Sequence, residues 1–178
     1  MKILAISGSL RAVSHNTALL RTVARLSPAG ICVELYDDLG KLPLFNPDIE
    51  VDDAPFVASL RAKLISADAV LIASPEYAHG ITGAMKNSLD WMVSTEAFVN
   101  KPVVLLNASP RAVHADAALR ETLTVMSARL IEEASITLPL LGSGLDESGM
   151  LVHPEISSAL RSCIQAIRTE ISNLKKMD

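Results

Sequence analysis

Residues 6–17, with the sequence ISGSLRAVSHNT, concentrate hydrogen-bond donors directly after the first apolar run of the chain. Three serines, an arginine, an asparagine and a threonine surround Gly8 there. A guanidinium supplies positive charge and paired N–H donors that match phosphate oxygens, and hydroxyls supply short neutral donors. If a helix follows, its free N–H groups also favour an anion. These residues therefore predict a site for an anionic group such as a phosphate ester.

The loop matches neither of two widespread phosphate-binding patterns. The GxxxxGK[ST] pattern is missing, which disfavours ATP or GTP held by a Walker loop. The GxGxxG pattern is missing because the next glycine after Gly8 is Gly30, which disfavours a classical dinucleotide fold. A hydroxyl-rich loop without a catalytic lysine suits a phosphate monoester that is held and not transferred. The alternative is that Ser14 only caps the following helix and Arg11 lies in solvent.

A second loop, residues 74–91 with the sequence SPEYAHGITGAMKNSLDW, follows another apolar run. Pro75 stiffens its start, and Tyr77 offers an aromatic face. Gly80 and Gly83 would let backbone amides approach a flat ligand closely. A phosphate anchor beside such a flat slot has the shape of a flavin mononucleotide site.

Strand and helix patterns alternate along the chain and would position these loops. Apolar runs predict strands at residues 2–7, 31–36, 69–74, 102–109 and 134–139. Helical spacing predicts helices at 15–26, 54–67, 83–94, 116–130 and from about Pro154 onward. Asp53 is the expected N-cap of the second helix, with Pro55 in its first turn.

This alternation predicts an α/β fold, a flavodoxin-like three-layer sandwich with a five-stranded parallel sheet in the order 2-1-3-4-5. One domain is expected to span residues 1–178. In this order the first and third strands are neighbours, and their helices lie on opposite faces. The two loops would then face each other at the point where such sheets bind ligands.

Composition narrows the class of protein further. The net charge of −4 argues against nucleic acid as the main partner. No apolar run approaches the roughly 20 residues that span a bilayer, so a protein of the cytoplasm without a membrane span is expected. Cys32 and Cys163 have no Cys or His neighbour at metal-ligand spacing, which favours buried reduced thiols and no metal site.

Three segments of the chain form a recognisable set: GSLRAVSHN (8–16), LPLFNPD (42–48) and SPEYAHGITGAMKNSLDW (74–91). Together they closely resemble the NAD(P)H-dependent FMN reductase family, which includes quinone, chromate and azo-dye reductases. The resemblance implies bound FMN, NADPH or NADH as the hydride donor, and a homodimer or homotetramer. It implies transfer of two electrons to quinones, flavins, azo compounds or chromate-like acceptors. The alternatives are a flavodoxin-like electron carrier without its own NAD(P)H turnover, and a sheet that binds another phosphorylated ligand without redox chemistry.

The resemblance also assigns cofactor-binding residues, and no catalytic residue, because the flavin carries the chemistry. The FMN phosphate and ribityl chain would be held by Ser9, Leu10, Arg11, Ser14, Asn16 and Thr17. The isoalloxazine would lie along Pro75, Glu76, Tyr77 and Ala78, with Ser109 at its pyrimidine edge.

The chain departs from the family pattern at two places. Many members have Asn where this chain has Ala78, so one side-chain contact would be missing. Many also have a Gly-Gly pair after the fourth strand, whereas no glycine occurs here between Gly83 and Gly142. Arg111 or His114 could therefore shape a different substrate mouth.

Two residues of the second loop admit two readings each. Glu76 could be a catalytic base, but hydride transfer to a flavin needs none, which favours a positioning or oligomer-contact role. His79 could touch nicotinamide or substrate, or it could be an exposed loop histidine.

The third predicted helix raises the question of a subunit interface. Lys86 and Asp90 have the i, i+4 spacing of an ordinary surface ion pair. In the family, however, this helix packs against a partner subunit, which would also hide Trp91, and this second reading is favoured here. Phe45, between two prolines, could cover the core or reach the flavin of a neighbouring subunit.

Overall fold

A computed structural model describes residues 1–176 as a parallel β-sheet with helices on both faces. The strands are β1 (Lys2–Ser7), β2 (Cys32–Leu35), β3 (Ala69–Ala73), β4 (Glu76–Tyr77), β5 (Gly80–Ile81), β6 (Pro102–Asn107), β7 (Arg129–Leu130) and β8 (Ile136–Thr137). The helices are α1 (His15–Leu26), α2 (Pro55–Ser66), α3 (Gly83–Met92), α4 (Val113–Val125), α5 (Glu147–Val152) and α6 (Pro154–Leu174). The predicted α/β class is confirmed.

The main sheet has the strand order β2-β1-β3-β6-β7, and neighbouring strands are parallel. This confirms the predicted order 2-1-3-4-5, with β6 as the fourth strand. The fifth position differs from the single strand predicted at 134–139, because β7 and β8 both pair with β6. A 3-10 turn at Glu132–Ala134 separates them. The Leu105 N–H donates to the Ser135 hydroxyl at 3.1 Å, where a strand partner would otherwise accept it.

Two apolar cores lie on the two faces of the sheet. Along β1, Ile3 and Ala5 belong to the core under α1 and α6, whereas Leu4 and Ile6 belong to the core under α2, α3 and α4. This alternation follows from the two-residue period of a strand. All five residues of β3 are buried, as expected for a strand covered on both faces.

The predicted helices are present, and they differ from prediction mainly at their ends. Helix α4 begins at Val113, three residues before the predicted start at 116, and its predicted last residues belong to β7. Helix α5 was not predicted. The expectation that Asp53 caps α2 is wrong, because Ala54 occupies the cap position and Asp53 ends a preceding 3-10 turn.

The loop between β2 and α2 folds back over α3 of its own chain. The Trp91 indole N–H donates to the Pro43 carbonyl oxygen at 2.8 Å, and Phe45 packs edge-on against the indole with ring centroids 5.2 Å apart. Trp91 is therefore only 1% exposed, so the expectation that a partner subunit hides it is wrong, while the subunit interface at α3 stays a prediction. Lys86 and Asp90 form the ion pair expected from their spacing.

The two cysteines occupy different environments. Cys163 is buried in the core under α6, and burial raises the pKa of its thiol to about 12. Cys32 is exposed, which contradicts the expectation that both thiols are buried. The reason is that β2 is the outermost strand of the sheet on that side.

Candidate functional site

The two loops singled out in the sequence lie side by side at the carboxyl edge of the sheet. The Gly8 N–H donates to the Ala73 carbonyl oxygen at 2.8 Å, and the Thr82 hydroxyl donates to the Gly8 carbonyl oxygen at 2.7 Å. A Cβ atom at Gly8 would lie 2.2 Å from the Ser74 hydroxyl oxygen. Gly8 therefore permits an approach of the two loops that no other residue allows.

The first loop is held together by its own hydroxyl groups. Ser14 caps α1 by accepting from the Thr17 N–H at 3.3 Å, and the Ser7 and Thr17 hydroxyls share a hydrogen bond of 2.8 Å. Ser9 accepts from the Arg11 N–H at 3.4 Å. The Arg11 guanidinium itself enters none of the ion pairs found within residues 1–176. It is therefore available to a ligand.

A cavity of about 650 Å³ opens between these loops, a volume typical of small-molecule sites. Its walls come from the loops that follow β1, β3 and β6, together with residues 141–147. The predicted site residues that line it are Ser9, Arg11, Ser14, Asn16, Thr17, Pro75, Glu76, Tyr77 and Ser109. The structure thus brings most of the predicted residues to one cavity.

Two predicted site residues do not line this cavity. Leu10 is 62% exposed, and its side chain lies over Gly40, where an added Cβ would come within 3.2 Å of it. Ala78 lies in the turn between β4 and β5, outside the cavity wall.

Sequence reasoning missed several lining residues. Arg21 follows Thr17 by one helical turn, and this spacing could have placed it on the cavity side of α1. Asp146 is the N-cap residue of α5 and Glu147 its first residue, and no local motif marks this segment. They reach the cavity because α5 packs on α1, where Glu147 pairs with Arg25 at 3.2 Å.

The glycine-free loop after β6 is shaped by side chains. The Asn107 amide oxygen accepts from the Ser109 N–H at 3.0 Å, and the Asn107 amide nitrogen donates to the Ala112 carbonyl oxygen at 3.2 Å. Ser109 in turn accepts from the Arg111 N–H at 3.2 Å. These bonds define a tight turn without the left-handed backbone that glycine provides. Ser109 and Arg111 thereby line the cavity.

The second loop forms the β-hairpin β4–β5, which has a two-residue turn and packs against α4. Ala78 and His79 both have positive φ, 49° and 60°, as a type I′ turn requires, although neither is glycine or asparagine. The Glu76 carboxylate accepts from the Ala115 N–H at 2.8 Å. The rings of His79 and His114 stack with centroids 4.3 Å apart, so His79 is an exposed residue with a defined neighbour.

The charges around the cavity favour an anion. Three guanidiniums line it, those of Arg11, Arg21 and Arg111, and none enters an ion pair found within residues 1–176. The three lining carboxylates are already engaged. Glu76 accepts from Ala115, Asp146 accepts from the Gly149 N–H, and Glu147 pairs with Arg25. Positive charge therefore remains free for a ligand.

Asn16 shows what else the ligand should carry. Its amide oxygen is buried at the cavity and accepts no hydrogen bond from the part of the chain that the structure describes. A buried acceptor without a donor is unfavourable, and a ligand hydroxyl would satisfy it. With Arg11 and the N-terminus of α1 available for a phosphate, these groups fit a ligand that combines a phosphate with hydroxyls. FMN has both, together with a flat ring for the wall formed by Pro75 and Tyr77.

Comparisons with known proteins agree with this reading. The family model described as NADPH-dependent FMN reductase matches residues 1–139. An NAD(P)H-dependent FMN reductase of Pseudomonas aeruginosa is 31% identical over 181 residues, which cover 98% of this chain and 97% of that protein. An NADPH:quinone oxidoreductase of Arabidopsis thaliana is 38% identical over 113 residues, which cover 60% of this chain and 57% of the plant protein.

Among solved structures, the flavoenzyme NAD(P)H:(acceptor) oxidoreductase FerB from Paracoccus denitrificans superposes with a TM-score of 0.81. The superposition covers 97% of each chain at 23% sequence identity. It confirms that the flavodoxin-like arrangement predicted from the sequence is the fold of this chain.

Proposed function

Because this chain belongs to the NADPH-dependent FMN reductase family, we propose that it binds FMN in the cavity at the carboxyl ends of β1, β3 and β6. It is an NAD(P)H-dependent flavin oxidoreductase. The single observation that carries the location is the cavity itself. It joins the Arg11 guanidinium and the Asn16 amide oxygen, which have no side-chain partner within the described residues 1–176, and the Pro75–Tyr77 wall.

The FMN phosphate binds at the first loop. Ser9 and Arg11 lie there beside the N-terminus of α1, where the helix dipole favours negative charge. The ribityl hydroxyls lie nearer Asn16, whose amide oxygen needs a donor. Ser14 and Thr17 support this site by fixing the first turn of α1.

The isoalloxazine lies between the second loop and the loop after β6. Pro75, Glu76 and Tyr77 form one wall, and Ser109 stands at the other. Leu10 and Ala78, which do not line the cavity, stay predictions from the family resemblance. One domain over residues 1–178 is proposed to contain the whole site.

When bound, FMN supplies the redox chemistry, accepting a hydride from NADPH or NADH and passing two electrons on. The residues of the chain therefore have to bind and orient the cofactor and leave one face of the slot open to both substrates. Glu76 is not needed as a base, because hydride transfer to a flavin requires none, and one of its carboxylate oxygens accepts from the Ala115 N–H. No residue is assigned as a catalytic acid or base.

The acceptors proposed for this chain are quinones, flavins, azo compounds and chromate-like oxyanions. Quinone reduction is supported by the Arabidopsis relative, which is named as a quinone oxidoreductase, and flavin reduction by the Pseudomonas relative, which is named as an FMN reductase. A flavodoxin-like carrier would share the fold and the cofactor, and it would differ in lacking turnover with NADPH.

A homodimer or homotetramer is also proposed. Three apolar side chains on the loop before α2 are solvent-exposed in the isolated chain: Leu44 at 85%, Phe45 at 42% and Ile49 at 39%. Such a group of exposed apolar side chains is typical of a contact surface.

No helix within residues 1–176 is long and apolar enough to cross a membrane. The cytoplasmic location stays a prediction.

The decisive experiment is a titration of the purified protein with FMN, followed by steady-state NADPH oxidation with a neutral quinone. We expect saturable binding with one FMN per chain, seen in the visible spectrum, and continuous NADPH oxidation. Bound FMN without turnover would favour the electron carrier. Failure to bind FMN would favour a different phosphorylated ligand and overturn the proposal.

A further inference from the structure

The hairpin β4–β5 is fastened to the N-terminus of α4 by two side-chain contacts. The Glu76 carboxylate accepts from the Ala115 N–H at 2.8 Å. Three residues further along the hairpin, the His79 ring stacks on His114, with centroids 4.3 Å apart and ring planes 15° from parallel. The two contacts hold one side of the hairpin against the first turn of the helix.

Helix α4 needs this contact because it has no cap of its own. Its N-cap residue is Ala112, which makes no side-chain capping hydrogen bond. Ala115 is the third residue of α4, and the N–H at this position is the one that a capping side chain commonly satisfies. Glu76 does so from another part of the chain, and it adds a negative charge at the positive end of the helix dipole.

The two segments that this contact joins, the hairpin and the loop before α4, also contribute residues to the walls of the cavity. Tyr77 adjoins Glu76 on the hairpin, and Ser109 and Arg111 lie on the loop that leads into α4. The hairpin turn has positive φ at two non-glycine residues, so its conformation is unfavourable without support from outside. The Glu76 contact and the stack of His79 on His114 therefore join the segments that form the two walls.

We infer that Glu76 is a positioning residue, whose carboxylate fixes the hairpin to α4 and so sets the width of the flavin slot between Tyr77 and Ser109. This inference rests on the proposed function, since it concerns the same slot. Glu76 acts through Ala115 and α4, and not as an acid or base.

The test compares three variants of the full-length chain. Glu76→Ala removes the contact, and Glu76→Gln keeps an oxygen acceptor while removing the charge. Glu121→Ala is the matched control, because Glu121 is an exposed carboxylate on the same helix, outside the cavity lining. Three measurements are made: amide hydrogen exchange at Ala115 without FMN, FMN affinity by fluorescence titration, and the single-turnover rate of flavin reduction at saturating FMN.

For Glu76→Ala we expect faster exchange at Ala115 and an FMN Kd raised about fivefold, because binding would have to re-order the slot at a cost equal to one capping interaction of typical strength. The rate of flavin reduction should also fall at saturating FMN, with a smaller change in the KM for NADPH. Glu76→Gln should recover most of each property, and Glu121→Ala should match the wild type.

Two results would overturn the inference. One is a Glu76→Ala protein with unchanged exchange at Ala115 and FMN affinity within twofold of wild type. The other is equal loss of FMN in the Ala and Gln variants without any change at Ala115, which would mean direct contact with the cofactor. If the wild type binds no FMN, the proposed function fails instead, while the exchange comparison still tests the contact with α4.

Discussion

The hydroxyl of Thr82 donates a hydrogen bond to the carbonyl oxygen of Gly8 at 2.7 Å, in a buried position between the two loops that border the cavity. The Thr82 hydroxyl oxygen also accepts from the Met85 N–H at 3.3 Å and thereby caps α3. One side chain thus joins the loop after β1 to the segment after β5. The relative position of the two loops depends on this side chain.

Replacing Thr82 by valine removes both hydrogen bonds and keeps the shape of the side chain. The Gly8 carbonyl and the Met85 N–H would lose their partner in a buried place. We expect the free energy of unfolding to fall by about 2 kcal/mol, measured by urea denaturation. Thr82→Ser keeps the hydroxyl and should lose less than half of that. Equal stabilities for the Val and Ser variants would contradict the linking role.

Arg11→Ala tests the phosphate assignment. Loss of a charged hydrogen bond of about 1.5–3 kcal/mol should raise the Kd for FMN roughly 10- to 100-fold. The domain should stay folded by far-UV circular dichroism, because Arg11 enters no ion pair found within residues 1–176. Arg161→Ala, an exposed arginine on α6, is the control and should leave the Kd unchanged. An unaltered Kd in Arg11→Ala would place the phosphate elsewhere.

Gly8→Ala tests the close approach of the loops. The added Cβ would lie 2.2 Å from the Ser74 hydroxyl oxygen and 2.7 Å from its Cβ, so the loops would have to separate. Overpacking of this kind costs about 1–3 kcal/mol of stability, measurable by thermal or urea unfolding. Gly83→Ala is the control. Gly83 is the first residue of α3, and a Cβ added there meets nothing within 4 Å. Equal effects of the two substitutions would refute the steric argument.

Much of the fold can be predicted from local sequence, because strands that are buried on both faces of a sheet are runs of apolar residues. The runs that form β1, β3 and β6 are continuously apolar, and each is found where the pattern predicts it. The fifth strand and α5 were not predicted correctly. Their short segments are defined by tertiary contacts, such as the hydrogen bond between Leu105 and Ser135, which no spacing reveals.

The functional site, too, could be predicted from the sequence only in part. The donor-rich loop after β1 and the loop after β3 with Pro75 and Tyr77 are visible in the sequence, because each directly follows an apolar run. The partner of Glu76 could not be predicted, since Ala115 is 39 positions away and takes part only through its backbone N–H. Asp146 and Glu147 were missed because the packing of α5 on α1 brings them to the cavity.

The buried thiol of Cys163 predicts a loss of stability at alkaline pH. Its pKa is raised to about 12 by burial, whereas a thiol in the unfolded chain titrates near ~8.5. The unfolded state therefore releases its proton first as the pH rises, and the contribution to stability is lost between these two values. Urea denaturation at about pH 8 and about pH 10.5 should show a smaller decrease in Cys163→Ala than in wild type.

Tyr36 supplies an internal reference for that measurement. Burial raises the pKa of its phenol to about 12 as well, so a decrease in stability at alkaline pH that is common to both proteins is expected from it.

In the folded state at neutral pH, a thiol reagent should modify the exposed Cys32 and leave Cys163 unmodified. Rapid labelling of both thiols, or identical pH slopes in the two proteins, would contradict the assigned burial.

The hairpin turn predicts a stabilising substitution. Ala78 has a φ of 49°, a conformation that asparagine and glycine adopt more readily than alanine. Ala78→Asn should therefore raise the free energy of unfolding by about 1 kcal/mol in urea denaturation. Ala58→Asn, at the fourth residue of α2, should lower it instead, because asparagine is a weaker helix former than alanine.

Measuring the FMN affinity of Ala78→Asn separates two roles of this position. Relief of turn strain alone raises stability and leaves the Kd close to that of the wild type, as the position of residue 78 outside the cavity wall suggests. A side-chain contact with the cofactor, as the family resemblance implies for asparagine, would lower the Kd as well. A loss of stability in Ala78→Asn would show that the positive φ is not a source of strain, and it would remove one premise of the role inferred for Glu76.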